Sequence, residues 1–252
     1  MLPSGLGSMV SRVAHLSSQG KSRLEASQVT HLAVGGILAC MTAQPSEYHR
    51  RVAAQKRTSI IEAATKLFLD SGYDGTSLAR IAEAAGVSRA TLFKQFTTKA
   101  ALFEAIVTEY WKVDDEEAPL PEPGNLRAGL EAIGHRYVAL LTQPGMAALF
   151  RIVIAEVPRF PELGETQFKL GKMPYFESVR RYLAAENTAG TARLDDAESA
   201  ATQFLGMISN YVFWPRMLLA HWEPDDSALT NAVDQAVLTM LARYGAPGAH
   251  DA

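Results

Sequence analysis

Apolar residues between positions 57 and 110 fall into helical stripes separated by short polar breaks. Ile60, Ile61, Ala64, Leu67 and Phe68 share one face, so a helix is predicted from about Val52 to Ser71, ended by Gly72. Leu78, Ile81, Ala82 and Ala85 recur at i, i+3, i+4 and i+7, and Gly86 follows where a helix end favours the left-handed conformation. Val87 can plug the turn into the core, and Ser88 is a good N-cap for a further short helix beginning at Arg89. That helix carries Arg89, Thr91 and Lys94 on one side and Leu92, Phe93 and Phe96 on the other. Thr98 can cap a fourth helix with the apolar face Leu102, Phe103, Ile106, Val107 and Tyr110. A small basic helix with an apolar back, turned off a first short helix, is what reading a DNA major groove requires.

The fourth helix fades into the acidic run Asp114 to Glu117, and Ala118 to Gly124 holds three prolines in seven residues, which cannot continue a helix. Helical spacing then resumes. One helix is predicted from Leu126 to Leu141 and another from Met146 to Val157, stopped at Pro144-Gly145 and Pro158. Pro161 to Leu183 reads as a helix bent or interrupted near Gly171 and Pro174. Asp195 or Asp196 starts a long helix through Ala220, kinked at Pro215, and Asp225 or Asp226 starts a last one ending at Gly245. There is no convincing strand alternation and no repeat, so the expected class is all-α.

The resulting division has four parts. Residues 1–47 are a disordered or weakly ordered extension, or else Met41 is the natural start. Residues 48–112 form a three-helix helix-turn-helix DNA-binding domain, and residues 113–124 are an acidic, proline-rich linker. Residues 125–246 form a C-terminal helical bundle for ligand binding and dimerisation.

Charge sharpens this division. Residues 1–99 hold 12 Lys+Arg against 6 Asp+Glu, whereas the rest holds 12 against 21, giving the net −3 of the whole chain. A basic front and an acidic back assign any polyanion to the front. Cys40 is the one cysteine, so no intramolecular disulfide forms and a cytoplasmic, reducing compartment is expected. The apolar run Leu32 to Cys40 follows Arg12, Lys21 and Arg23; a signal peptide is the minor alternative, and the run falls short of the ~18 residues that span a bilayer.

Enzyme chemistry has little support. The six histidines are scattered, with no i, i+4 pair and no cysteine partner, so neither a metal site nor a cofactor is expected. Gly20-Lys21-Ser22 resembles the end of a phosphate loop, but His15 stands where its leading glycine belongs.

One family shares these features. Arg57-Thr-Ser-Ile-Ile-Glu-Ala-Ala, Leu67-Phe68, Gly72-Tyr73, Thr76-Ser77, Ile81-Ala82, Ala85-Gly86-Val87-Ser88, Thr91-Leu92-Phe93, Phe96, Lys99 and Leu102 resemble the N-terminal domain of TetR-family repressors. Arg151 to Leu183, with Ala155-Glu156 and Arg159-Phe160-Pro161-Glu162-Leu163, resembles the regulatory domain of AefR-like and AcrR-like members.

The resemblance implies roles. Arg89, Ala90 and Thr91 would face base edges, with Arg89 suited to guanine O6 and N7. Thr76, Ser77, Lys94, Thr97 and Lys99 would contact the backbone, Ser88 and Gln95 also belong to the DNA-binding set, and Arg50, Arg51, Lys56 and Arg57 form a basic approach. The family usually has tyrosine where this chain has Phe93 and often histidine where it has Gln95, so one phosphate-directed hydroxyl is missing. The last two helices would form a homodimer through Trp214, Leu218, Leu219, Val233, Val237, Leu238 and Leu241.

The back half also clusters aromatics and methionines, which build either ordinary core or an apolar effector pocket between helices. The candidate ligand contacts are His135, Phe150, Phe176, Gln203, Phe204, Met207 and Tyr211. The expected protein is a ligand-responsive repressor on a palindromic double-stranded operator, its effector small and apolar, with no membrane partner. The alternative is a helical ligand-binding or scaffold protein whose helix-turn-helix no longer reads DNA.

Overall fold

A computed structural model describes residues 47–112, 120–219 and 221–247. The expectations for residues 1–46, including Cys40 and Gly20-Lys21-Ser22, and for the acidic run 114–117 lie outside them.

The first helix, α1 (Glu47–Ser71), begins upstream of the expected Val52. Its opening turns carry no apolar stripe, so periodicity could not mark them, while Glu47 suits the positive helix end. Three short helices follow: α2 (Leu78–Ala84), α3 (Arg89–Gln95) and α4 (Lys99–Tyr110). Each begins on a hydroxyl cap. The oxygens of Ser77, Ser88 and Thr98 accept from the amides of Arg80, Thr91 and Ala101, which fixes where each helix starts. Gly86 turns the chain between α2 and α3 at φ +64°, a conformation a side chain would strain. Ile60, Ala64, Phe68, Ile81, Leu92 and Phe103 are wholly buried among these four helices. Phe93 is not on the apolar back as the spacing suggested; it stands half exposed.

The remaining helices are α5 (Leu126–Thr142), α6 (Met146–Glu156), α7 (Pro161–Thr166), α8 (Met173–Ala189), α9 (Ala197–Val212), α10 (Trp214–Leu218) and α11 (Asp226–Tyr244). Asn125, Asp196 and Asp225 cap α5, α9 and α11. The stretch expected as one bent helix from Pro161 is in three pieces, with a π-helical turn over Gln167–Lys172 between α7 and α8. The long helix expected through Ala220 likewise breaks at Phe213. Pro174 and Pro215 sit in the first turns of α8 and α10, where a missing amide hydrogen leaves no partner unmade. Helices α5, α8, α9 and α11 pack around Ile133, Val179, Phe204, Ile208 and Val233. All secondary structure among the described residues is helical apart from a single bridge between Ala192 and Gly245. No single described helix is long and apolar enough to cross a membrane; the bent pair α5–α6 has the length and composition, but Leu130, Ile133, Leu141, Met146 and Leu149 on it are buried in the core.

Candidate nucleic-acid interface and effector cavity

The outer surface of α3 carries Arg89, Ala90, Phe93 and Lys94, all exposed, with Thr97 just beyond it. Behind them Leu92 and Phe96 are buried and lock the helix to the core. Ser88 does more than cap: its hydroxyl lies 2.9 Å from that of Thr91, so both are held at the helix start. Gln95 is half-buried at its end. The guanidinium of Arg57 lies 4.5 Å above the Phe96 ring, which holds α1 against the end of α3. The exposed groups include two cations, Arg89 and Lys94, with Ala90 and Phe93 on the same helix.

Two expected phosphate contacts are engaged elsewhere. Thr76 is buried, and its hydroxyl donates to the carbonyls of Leu67 and Gly72 at 3.1 and 2.9 Å, closing the turn from α1 to α2. The Lys99 ammonium points into that turn, donating to the carbonyls of Tyr73 and Thr76 at 2.7 and 3.1 Å. It also lies 4.3 Å from the centre of the Tyr73 ring. Burial holds its pKa below the ordinary lysine value, against the pull of Asp74 and Glu156. Ser77, by contrast, is exposed at the start of α2.

The same turn ties the front helices to the back. Phe160 meets Tyr73 edge-on at 5.1 Å, Arg159 pairs with Asp74 at 2.9 Å, and the Glu156 carboxylate accepts from the Asp74 amide at 3.3 Å. Lys99→Met therefore leaves two turn carbonyls without donors and is expected to lower stability by about 1–2 kcal/mol. Thermal melting measures that loss. The slope of log affinity against log salt should stay unchanged, whereas loss of a phosphate contact would reduce it by ~1.

The expected effector residues do not converge on one site. Phe204 is wholly buried core. His135 is exposed on the outside of α5, and Gln203 is exposed on α9, accepting from the Tyr244 hydroxyl at 2.8 Å. Met207 and Tyr211 line a surface groove of about 360 Å³ between α9 and α11, together with Asn210, Asn231 and Gln235. Phe150 packs between Trp111 and Phe213 at 6.2 and 4.8 Å. Phe176 alone lines a deeper cavity of about 160 Å³, with Trp111, Tyr137, Lys172, Tyr175 and Ser209. Sequence reasoning missed Trp111 there, because it follows the last apolar turn of α4 and no local pattern marks it.

The expected dimer residues also divide. Val233, Val237 and Leu241 are buried inside their own chain and cannot supply an interface. Trp214, Leu218, Leu219 and Leu238 remain exposed.

Comparison with known proteins agrees with this architecture. Residues 60–106 match the model of bacterial regulatory proteins of the tetR family, and residues 128–246 match the C-terminal domain of AefR-like transcriptional repressors. The HTH-type transcriptional repressor ComR of Escherichia coli is 43% identical over 54 residues, which is 21% of this chain and only 26% of that protein. A TetR-family transcriptional regulator from Mesorhizobium loti is 30% identical with a TM-score of 0.68, covering 77% of this chain and 98% of that one. The flavonoid-responsive regulator FrrA is 27% identical with a TM-score of 0.63, covering 76% and 98%. On the two matched domains and a structural likeness over 77% of the chain, the chain belongs to the TetR family: it is a helix-turn-helix transcriptional regulator, not an enzyme.

Proposed function

We propose that the chain is a homodimeric, ligand-responsive repressor of a palindromic operator, acting in the cytoplasm. In this reading residues 48–112 grip DNA, residues 113–124 link, and residues 125–246 sense the effector and dimerise. The observation that carries it is the exposed face of α3: Arg89, Ala90 and Lys94 project from a helix whose caps and buried back leave it one orientation. Two such helices on a two-fold axis would enter successive major grooves about 34–36 Å apart. Exposed Trp214, Leu218, Leu219 and Leu238 favour the dimer. The flavonoid response in the name of FrrA, together with the aromatic cavity behind Trp111, favours a small effector. Such an effector acts by binding better to the state whose recognition helices are wrongly spaced for DNA.

Titration against the DNA upstream of its own coding region, at several salt concentrations, tests this. Affinity should fall with a log–log slope near −0.9 per phosphate neutralised. Arg89→Ala should cost about 1–3 kcal/mol and relax base preference at one position, whereas Lys94→Ala should weaken all sequences alike and reduce the salt slope by ~1. No binding to any duplex at low salt would leave the protein a helical ligand-binding or scaffold protein instead.

A further inference from the structure

The outer face of α3 carries a phenyl ring as well as cations. Among the described residues between 47 and 112, the large apolar side chains left exposed are Tyr48, in the first turn of α1, and Phe93 on α3. Phe93 is 49% exposed and does not pack on the core, unlike its neighbours Leu92 and Phe96.

Position decides what that ring can meet. At 3.6 residues per turn, Ala90 and Phe93 lie three apart, as neighbours on the helix surface, and both fall between Arg89 and Lys94 around the axis. All four are exposed. The helix has one orientation, because Ser88 fixes its start and Leu92 and Phe96 bury its back. Its outer face is therefore a narrow apolar strip, a methyl beside a phenyl, with a cation at each edge.

A polyanion alone does not account for such a strip. Phosphate oxygens accept from the cations but offer nothing to a phenyl ring. In the major groove the base edges present hydrogen-bonding atoms, and thymine adds an apolar group, its C5-methyl. Alanine and phenylalanine are among the side chains that meet that methyl. The exposed ring is hydrated in the free protein, and covering it against a methyl group releases that water.

Building on the operator-binding reading above, we propose that Phe93, with Ala90 beside it, reads the C5-methyl group of a thymine in each half-site. Phe93 is then a specificity-determining residue, and it acts without a hydrogen bond.

Uracil in place of thymine removes that methyl and leaves pairing and charge unchanged. Duplexes that the full chain retains from a random-sequence pool are the probe, each made once with thymine and once with uracil throughout. The wild type should bind the uracil form about fivefold weaker per half-site and about 25-fold weaker on two, the fivefold step being equivalent to ~1 kcal/mol. Phe93→Ala should bind the thymine form about as weakly as the wild type binds the uracil form. On uracil DNA it should lose less than about twofold more, because the two changes remove one contact. Phe93→Leu keeps apolar surface and should retain part of the thymine preference. The salt slope should be the same for all three proteins, since no phosphate contact changes. Thermal melting of Phe93→Ala should match the wild type, because the ring does not pack on the core.

Equal affinity of the wild type for the two forms would overturn the assignment, and the operator-binding reading would stand. So would a full uracil penalty in Phe93→Ala, which would place the methyl contact on another residue. If no duplex is retained even at low salt, the operator-binding reading falls and this assignment falls with it.

Discussion

Replacing Leu218 and Leu238 together with aspartate should convert the protein to a monomer and lower its affinity for a two-half-site operator by about 10²–10⁴-fold. Leu218 is 88% exposed and Leu238 48%, beside Trp214 and Leu219 at 54% each. These residues belong to α10, α11 and the segment after α10, while α9 packs against both helices. So much exposed leucine and tryptophan on neighbouring elements is unusual for a monomer, and it is the surface that the proposed second copy would cover. Aspartate there places unpaired charges in the interface while leaving each chain's core intact. The magnitude follows because two linked reading heads bind with the second contact effectively intramolecular. Sedimentation gives the oligomeric state, and anisotropy with full-site and half-site DNA gives the affinities; the variant should match the wild type only on the half-site. A variant that sediments like the wild type, or a wild type that is already monomeric, sinks the dimer reading. Val237→Asp would be no such test, because Val237 is buried in its own chain and its loss would unfold the protein.

That contrast shows what a sequence carries. Val233, Val237, Leu238 and Leu241 are equally apolar, and only their angular positions around α11 separate core from surface. The helix starts at Ser88 and Thr98 were legible because capping is local chemistry between a hydroxyl and an amide three residues on. The direction of the Lys99 ammonium was not, because its carbonyl partners on Tyr73 and Thr76 are set by the closure of the α1–α2 turn. The π-helical turn was half legible: Gly171 and Pro174 flagged an interruption, but the close packing of the Trp111 indole against Gly171 is a tertiary contact that no local pattern marks. Periodicity also pooled Phe204 with Phe176, although the first fills the bundle core and the second a cavity wall.

Glu186→Ala should cost about 3 kcal/mol, a fall in Tm of roughly 6–12 °C for a chain of this size. Glu186 is wholly buried, and hydrogen-bond donors satisfy its carboxylate. One carboxylate oxygen accepts from the Tyr182 hydroxyl, and the other from the Thr191 hydroxyl and from the Gly124 amide at 3.0 Å. It thus pins the end of the linker and the turn after α8 to one point. Alanine would leave the buried Tyr182 hydroxyl unpaired and take this acceptor from the Gly124 amide and the Thr191 hydroxyl, the costly direction of the exchange. Glu186→Gln keeps the volume and one acceptor oxygen and should lose about half as much. Tyr182 cannot swing toward α5 to compensate, because its hydroxyl already fills the space where a Cβ on Gly129 would stand. Gly129→Ala alone should therefore cost about 1–3 kcal/mol by overpacking against a side chain held in place by Glu186. In the Glu186→Ala background Tyr182 is released, so the added cost of Gly129→Ala should shrink by about 1 kcal/mol or more. Thermal and urea unfolding of the four proteins measure this cycle; strict additivity would show that Glu186 does not hold Tyr182 against α5.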